Sequence, residues 1–185
     1  MAPLRELPAG LENNPGSGQV TQLALRFGVG AGIACAVWLL FLQFTGNNPF
    51  GPKQLLGQFL VPLAAVGSQW VLRRLAMPSR PGVGRSLAVG GLTVLLAAAI
   101  AAGSVWGLAH GVDRSVLDHN RAEMVEIVRV QQEIRPKEKR NKQFEALELR
   151  QAAAISVQSL VMGTFTRVVL LGMLVALPAG LFLRK

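Results

Sequence analysis

The sequence predicts an all-α fold: a four-helix transmembrane bundle with an extramembrane antiparallel helical hairpin between helices three and four. Three observations lead there. Residues 27–52, 54–72 and 86–112 contain no Asp, Glu, Lys or Arg, leaving gaps of 26, 19 and 27 residues, where a bilayer core takes roughly 20 apolar residues to cross. A fourth apolar run, "VMGTFTRVVLLGMLVALPAGLF", is broken only by Arg167. Between the third and fourth runs, residues 109–156 carry nine basic and eight acidic side chains, with apolar residues recurring at helical spacing.

The elements follow in order. Residues 1–20 are rich in Pro, Gly and Asn and show little periodicity, which predicts a disordered cytoplasmic tail ahead of a single membrane domain over 21–185. The tail lacks the basic n-region and small-residue cleavage site of a signal peptide. Transmembrane helices are predicted near 27–45, 54–72, 86–108 and 160–183. The turn "GNNPFGPK" connects the first two. Pro62 predicts a kink in the second, where neighbouring helices can satisfy the freed carbonyl, and Pro178 predicts one in the fourth.

The hairpin spans 109–156. Gly111 is a stop signal, Asp113 a candidate cap, and Arg135-Pro136 a break, with Pro136 able to open the second arm. Val116, Met124, Ile127, Val128 and Ile134 stripe the first arm; Phe144, Leu147, Ala152 and Ile155 stripe the second. The two stripes are predicted to face each other, and the second arm to run unbroken into helix four; the competing reading is a pair of separate amphipathic helices lying on the membrane surface.

The formal net charge is +9, yet the hairpin segment is nearly neutral. The surplus lies in short flanks of the apolar runs, so it speaks for anionic lipid and orientation and not for nucleic acid. With the N-terminus cytoplasmic, that side holds Arg5, Arg26, Arg73, Arg74, Arg80, Arg85, Arg184 and Lys185. The far side holds Lys53, Arg114, Arg121, Lys142 and Arg150 within reach of the count. Eight against five predicts a multi-pass membrane protein with both termini cytoplasmic. Cys35, the only cysteine, forms no intramolecular disulfide.

Candidate residues fall into two groups. Gly28 with Gly32, and Gly103 with Gly107, are small-xxx-small pairs that let helix backbones approach; they predict packing inside the bundle or a homo-oligomer face. Gln43, Gln54, Gln58, Ser104, Asp113, Thr164 and Arg167 lie near the outer ends of the helices. They form a candidate polar cluster, either interhelical hydrogen bonds or a solute vestibule. His110, Asp113, Asp118 and His119 lack the i, i+4 spacing of a helical metal pair, so no metal is expected. Neither a nucleophile elbow nor a phosphate loop is present. No catalytic residue and no cofactor are expected.

The Gly-rich first helix "RFGVGAGIACAVWLL", the basic link "SRPGVGRSLAVGG", the charged helical insert and the closing "LFLRK" together resemble a family of small bacterial membrane proteins, domain-of-unknown-function family 4199. The resemblance covers the chain from Arg26 onward. It implies a bacterial inner membrane and supplies no catalytic residues. The expected function is therefore a non-enzymatic scaffold or docking component. Its partners would be the lipid bilayer and another membrane or periplasmic protein met through the hairpin. The alternative is a small channel or carrier using the outer polar cluster.

Overall fold

The computed structural model describes residues 17–76, 82–111, 114–136 and 141–182. The tail expected over 1–16, the cap expected at Asp113 and the closing basic pair lie outside the described residues. Seven helices occur among them: α1 (Ser17–Phe44), α2 (Gln54–Gln58), α3 (Leu60–Leu75), α4 (Val83–Gly111), α5 (Arg114–Ile134), α6 (Lys142–Ala153) and α7 (Val157–Phe182). No strand occurs among the described residues. Four stretches are long and apolar enough to cross a membrane: Gly18–Phe44, Gln54–Leu75, Val83–Gly111 and Val157–Phe182.

The ends of these helices are written in local chemistry. α1 starts ten residues before the expected Phe27, so residues 17–20 are helical rather than part of a tail, and Val20 is buried. At its other end Gly46 has φ of 72°. The Gly46 N–H bonds to the Gln43 carbonyl at 3.2 Å and the Asn47 N–H to the Leu42 carbonyl at 2.9 Å. That 6→1 and 5→2 pair is a Schellman ending, which needs the left-handed backbone that glycine adopts without a Cβ penalty.

Pro62 has no N–H to offer the Gln58 carbonyl, and the second span is interrupted there. α2 ends at Gln58 and α3 begins at Leu60. Phe59 between them keeps φ −64° and ψ −15°, so hydrogen bonding is lost while the backbone conformation barely changes. Pro178 lies inside α7, which continues to Phe182.

The second arm does not run unbroken into the fourth span, contrary to the sequence expectation. α6 stops at Ala153, and Ser156 with Ser159 opens α7 by reciprocal capping. The Ser159 N–H donates to Ser156 Oγ at 3.1 Å and the Ser156 N–H to Ser159 Oγ at 3.0 Å. This is a capping box with serine at both positions. Nor does Pro136 open the second arm. α6 begins at Lys142, after Asn141, whose side chain accepts from the Gln143 and Phe144 N–H groups.

α4 is the central helix. It packs against α1, α3 and α7, while α1 and α7 each also touch α3. The core has three layers along the bundle axis. Val20, Leu23, Ala24, Leu72 and Val89 fill the layer nearest the start of α1. Cys35, Val61, Ala65, Ala97, Ala98, Ala101 and Val168 lie in the middle layer. Leu39, Phe50 and Val105 close the end nearest α5.

Two of the predicted small-residue pairs behave differently. A Cβ added to Gly28 would lie 2.8 Å from Leu96 Cβ, and one added to Gly32 would lie 2.6 Å from Ile100 Cβ. Both glycines therefore let α1 sit against the α4 backbone. Gly103 and Gly107 have nothing within 4 Å of an added Cβ, so they contribute no packing within the described bundle.

This contrast makes a prediction. Gly32→Leu forces α1 off α4 and should cost about 1–3 kcal/mol or more, the usual penalty of overpacking. Gly103→Leu should stay within about 0.5 kcal/mol. Thermal unfolding of the two variants in the same detergent separates them.

Candidate docking surface and the buried polar groups

α5 and α6 are rich in charged side chains of both signs, and polar contacts hold them together. Arg135 Nη2 pairs with Glu148 Oε1 at 3.1 Å. Gln132 Nε2 donates to the Glu145 carbonyl at 2.9 Å and to Glu148 Oε2 at 3.2 Å. Nearer the membrane spans, Arg121 Nε donates to the Ile155 carbonyl at 2.9 Å. Contacts therefore run in opposite chain order along the two helices. The Gln132 hydrogen bond, then Arg135, holds the Glu148 carboxyl below its usual pKa of 4.5.

These polar contacts set the rotation of α6, and the result corrects the predicted stripe. Glu145, Glu148 and Leu149 are half-buried and Ala152 is buried, whereas Phe144 is 52% and Leu147 50% exposed. The expectation that Leu147 lies on a buried side fails for this reason: the Arg135–Glu148 pairing turns the carboxylate face inward. Ile134, at the end of α5, is 77% exposed, and Val130 is exposed one turn earlier. Four apolar side chains thus stay exposed on an otherwise charged element.

The foot of α5 is anchored on the α1–α2 turn. Asn48 Nδ2 donates to Asn120 Oδ1 at 2.9 Å and also to Glu123 Oε2. Asn48 Oδ1 accepts from the Phe50 N–H at 2.9 Å. Its amide thus braces its own turn and α5 at once. Asn120 is fully buried. Beside this anchor lies a polar cleft of about 420 Å³ bordered by Gln43, Asn47, Ser115 and His119. The sequence reading missed the anchor. Its one visible trace is the i, i+3 spacing of Asn120 with Glu123 and the Asn pair in "GNNPFGPK"; nothing local connects the two segments.

The predicted polar cluster divides among several places. Gln54 Nε2 donates to Thr164 Oγ1 at 3.2 Å, both side chains buried, tying α2 to α7. Gln58 is buried too, with neither amide atom hydrogen-bonded to a described residue. Gln43 borders the cleft at the α1–α2 turn. Ser104 Oγ donates to the Ile100 carbonyl of its own helix at 2.8 Å, and it borders an apolar groove of about 370 Å³ between α1 and α4. Arg167 is half-buried on α7 and pairs with no acid among the described residues. Asp113, the remaining member of the predicted cluster, lies outside the described residues.

A second polar layer, deeper toward the α3 C-terminus, was not expected. Gln69 Nε2 donates to the Ala176 carbonyl at 2.9 Å, and Thr93 Oγ1 to Ser68 Oγ at 3.1 Å. Gly90 and Gly180 leave the space that the Gln69 amide occupies; a Cβ at Gly180 would lie 3.3 Å from its nitrogen. Glycine opposite a buried amide was the available signal, but only the folded bundle brings those three helices together. Among the described residues no three His, Cys, Asp or Glu side chains converge to hold a metal.

Fold and polar groups together define a class, an all-helical protein with four helices fit to cross a membrane. Within that class the chain belongs to the family described as protein of unknown function (DUF4199), whose profile matches residues 26–185. No curated protein and no solved structure matches it.

Two outcomes follow. The lowered pKa of Glu148 means its contribution to the α5–α6 contact is complete above pH 4.5. As pH falls below that value the contribution is progressively lost, and it is gone once the folded-state pKa is passed. Spin labels at exposed Val130 and Ala146 should show a distance distribution that broadens in this acid window, and Glu148→Gln should broaden it already at pH 7. Asn48→Ala, by leaving the buried Asn120 amide without its partner, should destabilise by about 1–3 kcal/mol in thermal unfolding.

Proposed function

We propose that this chain is a non-enzymatic, multi-pass component of the inner membrane, with both termini cytoplasmic, that docks a protein partner outside the bilayer. In this reading α5 and α6 form an extramembrane antiparallel hairpin standing on the α1–α2 turn. The bilayer holds the four apolar spans. The observation that carries the reading is the exposure of Val130, Ile134, Phe144 and Leu147 on a segment with nine basic and eight acidic residues. A segment so charged belongs in water. Large apolar side chains grouped on its surface mark an interaction site. Aromatic and aliphatic anchors ringed by polar groups are what the centre of a protein interface requires.

The rival reading, a small channel or carrier, has one observation in its favour: Gln58, buried with an unsatisfied amide. The Ala and Val side chains of the middle layer weigh against it, since most are fully buried. A homo-oligomer is a further possibility for the open Gly103–Gly107 face, where small residues permit close helix contact.

The test uses the full chain in native membranes. A photo-crosslinking residue at Leu147 should give one adduct of discrete mass, retained stoichiometrically through mild detergent, and Ile134→Ser with Phe144→Ser should remove it. A probe at Arg129, on an exposed charged position, should give none. Adducts to lipid alone would replace the proposal with helices lying on the membrane surface. Reporters fused at Pro136 and after Lys185 should fall on opposite sides, Pro136 away from the cytoplasm; the same side for both contradicts the topology.

A further inference from the structure

Arg167 occupies a position on α7 where a charge has no use for the bundle. Its neighbours three, four and seven residues along the helix grade from half-buried Gly163 and Leu171 to exposed Leu170 and Leu174. The bundle-facing positions of the same helix, Thr164 and Val168, are buried. Half-buried Arg167 therefore sits at the edge of that buried face, beside the outward positions Leu170 and Leu174. No described carboxylate pairs with it, and the Glu148 carboxylate is engaged by Arg135.

Its depth can be read from a hydrogen bond. Thr164 lies level with Gln54 through their 3.2 Å contact, and Gln54 directly follows the polar α1–α2 turn with Asn47, Asn48 and Lys53. Arg167 is three residues further along α7, about 4.5 Å deeper at 1.5 Å per residue. Helical side chains lean toward the N-terminus of their own helix. On α7 that direction leads back to the α1–α2 turn and to the headgroups on that side. Arg167 takes this course. Its Nη2 lies 3.8 Å from where a Cβ of Gly163 would be, so the side chain runs back over the preceding turn. Gly163 leaves that lane free, where a long side chain at the i−4 position would fill it.

We propose that Arg167 and the lane over Gly163 form a binding site for the phosphate of an acidic phospholipid, in the leaflet nearest the α1–α2 turn. A guanidinium offers two parallel N–H donors to phosphate oxygens, and a half-buried cation at the hydrocarbon edge is best satisfied by snorkelling to such a group. Gly163 acts by positioning the arginine. The acidic lipid is favoured over a zwitterionic one because no carboxylate among the described residues stands by to receive an ammonium.

The test is native mass spectrometry of the purified full chain titrated with phosphatidylglycerol, phosphatidylcholine or inorganic phosphate. Wild type should retain one phosphatidylglycerol at least about fivefold more tightly than Arg167→Gln. Gly163→Leu, which keeps the arginine but closes its lane, should lose the same preference, while Gly163→Ala, whose methyl fits at 3.8 Å, should keep it. Arg167→Lys should keep part of it. Circular dichroism and elution volume identify any variant that has misfolded, and the Gly163→Ala and Gly163→Leu pair then decides. Equal phosphatidylglycerol retention by wild type, Arg167→Gln and Gly163→Leu overturns the proposal. So does equal retention of the two lipids by wild type, or competition by inorganic phosphate alone at the same concentration. Asp113→Asn should leave the preference unchanged; a gain in lipid binding would assign Arg167 to Asp113 instead.

Discussion

Where α1 meets α4, the two helices approach so closely that a methyl group on Gly28 or Gly32 would overlap the Leu96 or Ile100 side chain. α7 approaches α4 from another side in the same way, with Gly172 against Val94. In a bilayer, lipid tails are as apolar as leucine, so no hydrophobic force drives helices together and close packing has to supply the attraction. The three glycines make that packing available, and α4 becomes the post to which the other spans are fitted. Substituting larger residues there would displace every polar contact that depends on the spacing.

Those polar contacts come in two layers at different depths. Gln54 with Thr164 links the second and fourth spans near the α1–α2 turn; deeper in, Gln69 with Ala176 links the same two, and Ser68 with Thr93 links the second to the third. Each is a single hydrogen bond of modest worth, yet a buried amide without a partner is costly. The layers therefore act mainly on register: a slide of α7 along α4 by one turn would leave several amides unsatisfied at once. Among the candidate residues Gln54 and Thr164 pair across helices and Ser104 bonds its own backbone, while Gln58 has neither amide atom paired among the described residues.

Outside the spans the physics changes. α5 and α6 are joined by ion pairing and amide contacts, and the foot of α5 by the Asn48 amide. Interactions of this kind need water nearby to balance unpaired charge, and they weaken when Glu148 is protonated. With its carboxylates turned inward, the element leaves Phe144, Leu147 and Ile134 outside. An inward-facing apolar stripe would have made a self-contained hairpin. The rotation found instead leaves those side chains exposed.

Much of this was legible in the chain itself. The three charge-free gaps and the last apolar run already specify four spans, because bilayer thickness sets the length of any helix that crosses it. The stop of α4 at Gly111 and the extent of α5 could also be read, since caps and breakers are local chemistry. The Ser156–Ser159 box was local too, and went unread because serine stood where glutamate or glutamine usually does. What only the tertiary structure decided was which face of each helix meets which neighbour. Gly28 and Gly103 look alike in sequence, but one lies against α4 and the other faces open space. Phe144 and Leu147 lie on a plausible apolar stripe, but Glu148 found Arg135 and turned them outward. Periodicity fixes the spacing of a face along its own helix; the direction it points depends on partners distant in the chain, and only the assembled bundle supplies them.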